Sequence, residues 1–153
     1  MRIIIAFILI LNLSACLELI GEKGNGVRIT KKITVGDFNR LEVSGSFEVI
    51  LTEDNASEVT IEIDENLLRF IDVAVRGSSL EIDSDRRLDS KEGVIIKVPV
   101  KSLVSLTSSG ASNIETTNPL QSDNFSVNSG QSSLLICLLN CISLISSFSK
   151  SSL

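Results

Sequence analysis

The sequence predicts an all-β domain stacked as a β-solenoid, and three observations carry that expectation. Val, Ile, Leu and Phe are abundant while Ala is scarce and Met occurs once; β-branched side chains lose rotamer freedom in helices and pack well on pleated sheets. Apolar residues alternate with polar ones from Val27 to Val100, which gives each short run one core-directed face. Ser-Gly corners also recur. Ser108-Ser109-Gly110-Ala111-Ser112 is echoed by Asn128-Ser129-Gly130-Gln131-Ser132, with Gly110 and Gly130 20 residues apart, and more weakly by Val43-Ser44-Gly45-Ser46. A fixed period of that length marks stacked coils, and Gly at a repeated position lets the backbone turn tightly. A Ser/Gly-rich loop that recurs by chance would look the same, and the periodicity alone does not choose.

Composition narrows the function. The 153 residues hold one ordinary domain. With 19 Asp+Glu against 14 Lys+Arg, the chain lacks the basic excess that a nucleic-acid partner requires. It has no His, Trp or Tyr. The commonest general base and metal ligand are therefore missing, as are the usual stacking platforms for sugars and bases.

Taken in order, the first element is an address. Met1-Arg2 is a short positive start, Ile3 to Leu11 is continuously apolar, and Leu13-Ser14-Ala15-Cys16 follows. The run is too short to cross a hydrocarbon core of about 30 Å as a mature helix, and it fits the h-region of a secretory signal peptide. Leu13, Ser14, Ala15 and Cys16 resemble the lipobox of bacterial lipoproteins position by position. That resemblance implies cleavage between Ala15 and Cys16 and acylation of Cys16. Several acyl chains would make a stable anchor, since one alone holds marginally. Residues 1–15 are thus read as a lipoprotein signal peptide. Residues 16–26 are read as a tether, with Gly21, Gly24 and Gly26 supplying flexibility.

The β-domain is expected over 27–133. Its alternating runs are Val27/Ile29, Ile33/Val35, Leu41/Val43, Phe47/Val49/Leu51, Val59/Ile61/Ile63, Val73/Val75, Leu80/Ile82 and Val94/Ile96/Val98/Val100. Turn signals separate them at Gly36-Asp37, Ser44-Gly45-Ser46, Glu53-Asp54-Asn55, Arg76-Gly77-Ser78 and Lys91-Glu92-Gly93. Asp64 to Phe70 is the one stretch that suits a short helical turn, capped by Asp64 with Leu67, Leu68 and Phe70 facing inward.

Candidate chemistry is sparse. Glu53, Asp54, Asp83, Asp85, Asp89 and Glu92 form an acidic set in mid-chain loops, but Arg86 and Arg87 adjoin it and no calcium-loop pattern is present. No catalytic residue, metal-ligand set or cofactor is read from the sequence. The Ser-rich corners lack a base to activate a hydroxyl. Paired carboxylates running glycoside chemistry stay a competing idea that spacing cannot decide.

Most of Gly24 to Ser133 resembles the auto-transporter adhesin, head-GIN domain family of bacterial envelope proteins. The resemblance rests on "GNGVRITKKITVGDFNRLEVSGSFEVIL", "VTIEIDENLLRFIDVAVRGSSLEI", "GVIIKVPVKSLVSLTSSGASNI" and the corner at Ser129-Gly130. It implies a right-handed parallel β-helix on a secreted or lipid-anchored protein, an adhesin role, and no established catalytic residues.

The sequence departs from the family at "LLICLLNCISLISSFSKSSL", the atypical apolar tail of residues 134–153. One reading is a membrane-seeking helix, although Leu134 to Ile145 is too short to span. Another is a Cys137/Cys141 pair, which without further ligands is not a metal site. A third is an out-of-frame tail that truncates the solenoid at its C-terminal end, which the coding DNA decides. The expected function is a lipid-anchored envelope protein, in the outer membrane, that binds a glycan or an envelope protein. The alternatives are a carbohydrate-active enzyme on a β-helix and a purely structural envelope protein.

Overall fold

The computed structural model describes residues 21–54, 56–117, 126–129 and 134–136. Cys16, Gly130, Cys137 and Cys141, on which several of the expectations rest, lie outside the described residues. The alternating runs, together with stretches outside them, form β-strands: β1 Glu22–Lys23, β2 Arg28–Thr34, β3 Arg40–Gly45, β4 Glu48–Thr52, β5 Glu58–Asp64, β6 Ile71–Arg76, β7 Ser79–Ser84, β8 Leu88–Asp89, β9 Ile95–Pro99, β10 Ser105–Gly110, β11 Asn113–Thr116, β12 Ser126–Ser129 and β13 Leu134–Ile136, the last within the segment expected as an atypical tail. A 3-10 helix, Glu65–Phe70, joins β5 to β6. Asp64 occupies its N-cap position but makes no capping hydrogen bond. The Asp64 side chain is buried and packs against Gly24 instead.

Among the described residues the strands form a five-stranded sheet, β12-β10-β3-β7-β6, a six-stranded sheet, β13-β11-β4-β9-β5-β2, and the small pair β1-β8. The two large sheets share one core. In the first, the register sets Leu106, Leu41 and Leu80 side by side, flanked by Val127 and Val75. In the second it aligns Ile114, Val49, Ile96 and Ile61. These seven central side chains are fully buried. Each column therefore removes an unbroken apolar row from water, and a fully buried Leu or Ile contributes about 1.5–3 kcal/mol.

The right-handed parallel β-helix expected from the sequence is not what forms. Both large sheets are mixed. β3 pairs in parallel with β7 and β10, and β4 with β9 and β11, but β2 pairs antiparallel with β5, β5 with β9, and β6 with β7. The strand order also breaks the solenoid rule that each coil lies on the one before it. The β3/β4 layer comes early in the chain yet sits in the middle, with β7/β9 on one side and β10/β11 on the other. The local cause is visible at Gly77-Ser78. Two residues separate β6 from β7, and Gly77 takes φ +63°. So short a loop can only join antiparallel strands, because parallel neighbours need a long crossover.

Candidate binding surface

Among the described residues, the register places the β3–β4 and β10–β11 connections on one side of the molecule. The ends of β3 and β10 and the starts of β4 and β11 meet there, joined by the Gly45-Ser46-Phe47 and Gly110-Ala111-Ser112 bends. The expected Ser-Gly corner at Gly110 is therefore a bend between the two sheets, and its partner within the described residues is Gly45. Ala111 N–H donates to the Gly45 carbonyl at 2.8 Å and Asn113 N–H to the Phe47 carbonyl at 2.8 Å. The buried Ser112 hydroxyl donates to the same Gly45 carbonyl at 3.0 Å and accepts from Phe47 N–H at 3.3 Å. Small residues are needed because two backbones approach with a side-chain hydroxyl between them. The Ser112 hydroxyl is thus engaged in holding the two bends together.

The alternation that buries one face of each sheet exposes the other. On the outer face of the five-stranded sheet, Asn128, Thr107, Glu42 and Glu81 fall in one row across four strands. Neighbouring strands lie about 4.8 Å apart, so these polar tips form a regular ladder. Its charges are partly engaged. The Ser79 hydroxyl donates to Glu42 Oε1 at 2.8 Å, and Arg76 Nε lies 3.0 Å from Glu81 Oε2. The outer face of the six-stranded sheet is similar in kind, with Lys97 Nζ 2.6 Å from Glu62 Oε1 and Lys32 Nζ 3.4 Å from Glu58 Oε2. Such pairs are half-exposed and contribute little stability, with a typical range of about 0–1 kcal/mol. What they provide is an array of exposed donors and acceptors on each outer face.

The acidic set read from the sequence does not converge. Glu53 and Asp54 follow β4 at the edge opposite the bends, whereas Asp83, near the end of β7, and Asp85, Asp89 and Glu92, which follow it, lie on the bend side. A five-residue strand separates the two edges, about 17 Å at 3.3 Å per residue. Glu92 lies 3.8 Å from Arg28 Nε, and Asp83 Oδ1 accepts from Ser84 N–H at 2.7 Å. Among the described residues no group of three or more Cys, Asp and Glu side chains is placed to hold a metal ion. A shallow recess, about 270 Å³ including its solvent-open part, lies between Val35–Phe38, Ala56–Ser57, Pro99 and Lys101. Lys101 Nζ sits 3.1 Å from Asp37 Oδ1 at its rim.

On the bend side, the first described residues are bonded into the domain, which the tether expectation did not include. Glu22 N–H donates to the Arg87 carbonyl at 2.7 Å and Gly24 N–H to the Asp89 carbonyl at 2.9 Å. Asn66 Nδ2 donates to the Lys23 carbonyl at 2.8 Å, and Asn25 N–H to Asn66 Oδ1 at 2.9 Å. Residues 22–25, read as tether, are laced into the domain. Gly24 stands where a methyl group would overlap the Asp64 carboxylate. Glycine there answers a packing need that in a sequence looks the same as linker flexibility.

Comparison with known proteins agrees with the all-β architecture. A putative adhesin from Parabacteroides merdae ATCC 43184 superposes with a TM-score of 0.66 at 28% identity, covering 74% of this chain and 48% of that one. A putative adhesin from Parabacteroides distasonis ATCC 8503 gives 0.67 at 27% identity, with 74% and 48% covered. A putative lipid binding protein from the same P. distasonis strain gives 0.63 at 20% identity, with 76% and 54% covered, and shows the fold alone. The chain spans about half the length of these solved structures. No curated protein matched. The family model for the putative auto-transporter adhesin, head GIN domain, matches residues 37–153, and the chain belongs to that family.

Proposed function

We propose that this protein is a lipid-anchored binding module of the bacterial cell envelope. In this reading Cys16 carries the lipid, and an outer sheet face engages a glycan or an envelope protein. The observation that carries it is the ladder Asn128-Thr107-Glu42-Glu81, an open polar row in a family described as a putative auto-transporter adhesin, head GIN domain. Flat ladders recognise extended polar partners by many shallow hydrogen bonds. Most glycoside hydrolases set two carboxylates on either side of one bond, whereas Glu42 and Glu81 stand side by side on an open face. The reading is therefore of binding without turnover.

The test pairs a glycan array with a reducing-sugar release assay on the full chain. Retention on specific glycans or envelope extracts, lost in Glu42→Lys/Thr107→Lys, supports the ladder as the binding face. Sugar release without retention replaces the reading with the carbohydrate-active enzyme. Metabolic labelling with palmitate, absent in Cys16→Ala, tests the anchor separately.

A further inference from the structure

The geometry points to the β1/β8 end of the domain as a membrane-docking surface, with Arg69, Arg86 and Arg87 meeting the anionic head-group phosphates of the bilayer that holds Cys16. This rests on the proposed lipid anchor. The first observation is reach. Gly21 already packs on Arg87 and Asp89, and Glu22 N–H donates to the Arg87 carbonyl just ahead of β8. Only the five residue steps from Cys16 to Gly21 remain as spacer, a span of at most about 18 Å when fully extended. A domain so held cannot stand far from the surface to which its first residue is fixed.

The second observation is what lies at that entry point. Arg69 and Arg86 stack against Phe70, their guanidinium carbons 4.7 and 5.3 Å from the ring centroid. Stacking occupies the guanidinium faces and leaves N–H edges free for phosphate oxygens. Both arginines also reach Glu22, at 3.8 Å each, too long for close charge-assisted hydrogen bonds. Their side chains are 68% and 63% exposed. Arg87 and Lys23 are exposed alongside them, and the acidic side chains of the same and adjoining segments are Glu22, Glu65, Asp83, Asp85 and Asp89, with Asp64 buried. Arginine forks held flat by a ring, at the one place a short chain brings to the bilayer, suit phosphate-rich head groups. The rest follows from strand order. β1 lies by the β5–β6 helix, and β12 lies four strands from β6, about 19 Å away. The β10 to β13 layers, with Thr107 and Asn128 of the ladder, then face away from the bilayer.

The full lipidated chain is tested in phosphatidylethanolamine vesicles containing phosphatidylglycerol, in a Cys137→Ser/Cys141→Ser background. A dye is attached at Asp89→Cys or at Asn128→Cys, and the vesicles carry head-group spin labels. Docking predicts quenching several-fold stronger at position 89 than at 128. The difference shrinks in about 1 M salt, where the screening length falls to about 3 Å. Each arginine near an anionic surface is worth about a five-fold gain in partitioning, so Arg86→Glu/Arg87→Glu lowers quenching at 89. Arg87→Glu alone, which leaves the Phe70 stack intact, lowers it less. Flotation with palmitate labelling but equal quenching at 89 and 128 overturns docking and leaves the anchor standing. A chain that neither labels nor floats overturns both.

Discussion

Gly110 lies directly against Gly45. The two are register partners at the ends of β10 and β3. A methyl group built on Gly110 would overlap the Gly45 carbonyl oxygen and stand 3.1 Å from its carbonyl carbon and nitrogen. Neither neighbour is the tip of a flexible side chain, so relief requires backbone movement. Gly110 also has φ +87°. Gly110→Ala is therefore expected to destabilise the full chain by about 3 kcal/mol, from left-handed strain plus a backbone clash. Gly77→Ala is the control. Its φ is +63° with nothing within 4 Å of the added methyl, so only the conformational term applies, about 1 kcal/mol. Urea unfolding of both variants measures the gap. Equal losses would mean that the close approach of the two bends has no energetic weight.

Ser112 tests the same bend through its hydroxyl. The side chain is 1% exposed and bridges Gly45 and Phe47. Ser112→Ala removes the acceptor of the Phe47 N–H and one donor to the Gly45 carbonyl. The carbonyl keeps the Ala111 N–H, so the cost is that of a single buried unsatisfied donor, about 1–3 kcal/mol. Ser112→Cys, which keeps the volume but hydrogen-bonds weakly, is expected to recover only part of it. Denaturant midpoints of the three proteins decide the matter, and an unchanged midpoint in Ser112→Ala counts against the bridge.

Position within a column sets the cost of truncation. Leu41 has a buried leucine on each side, Leu106 and Leu80. Val75 lies at the end of the same row and is half-buried. Leu41→Ala leaves a cavity that cannot collapse from either side and is expected to cost about 2–5 kcal/mol. Val75→Ala opens onto solvent and is expected to cost about 1 kcal/mol. Thermal unfolding ranks them, and a reversed order contradicts the packing described above.

These columns were legible in the sequence. The alternation at Leu41/Val43, Val59/Ile61/Ile63 and Val94/Ile96/Val98 is a local consequence of strand geometry, and each inward residue named there is buried. Strand partners were less legible, because pairing depends on which strands meet, and that is non-local. One local clue was present. Gly77-Ser78, between Val73/Val75 and Leu80/Ile82, has the length and composition of a two-residue hairpin, which already contradicts an all-parallel stack. The Ser-Gly recurrence and the family resemblance both point to parallel coils, and neither carries the antiparallel pairing that this hairpin specifies. Of the proposed surface, the ladder residues were only visible as the polar half of the alternation. Their alignment into one row needs the register. The packed role of Gly24 had no sequence signal, since close approach and flexibility select the same residue.

The row Ile114-Val49-Ile96-Ile61 ends at Lys31. On β2, Lys31 is the register partner of Ile61 and shares the inward parity of Ile29 and Ile33. β2 is the last strand of its sheet, and Lys31 is exposed. A charged residue on the inward side of an edge strand prevents another strand from adding there, because addition would bury the ammonium group. Strand register makes the device specific, since only alternate positions point toward the apolar column. Lys31→Val completes the column at the edge and is expected to turn β2 into an adhesive strand. Sedimentation velocity should then show concentration-dependent self-association absent from the parent chain. Lys32→Val, one position away on the outer face, loses the ion pair with Glu58 and should promote association far less. If both variants associate equally, added surface hydrophobicity is the cause, and the inward lysine has no guarding role.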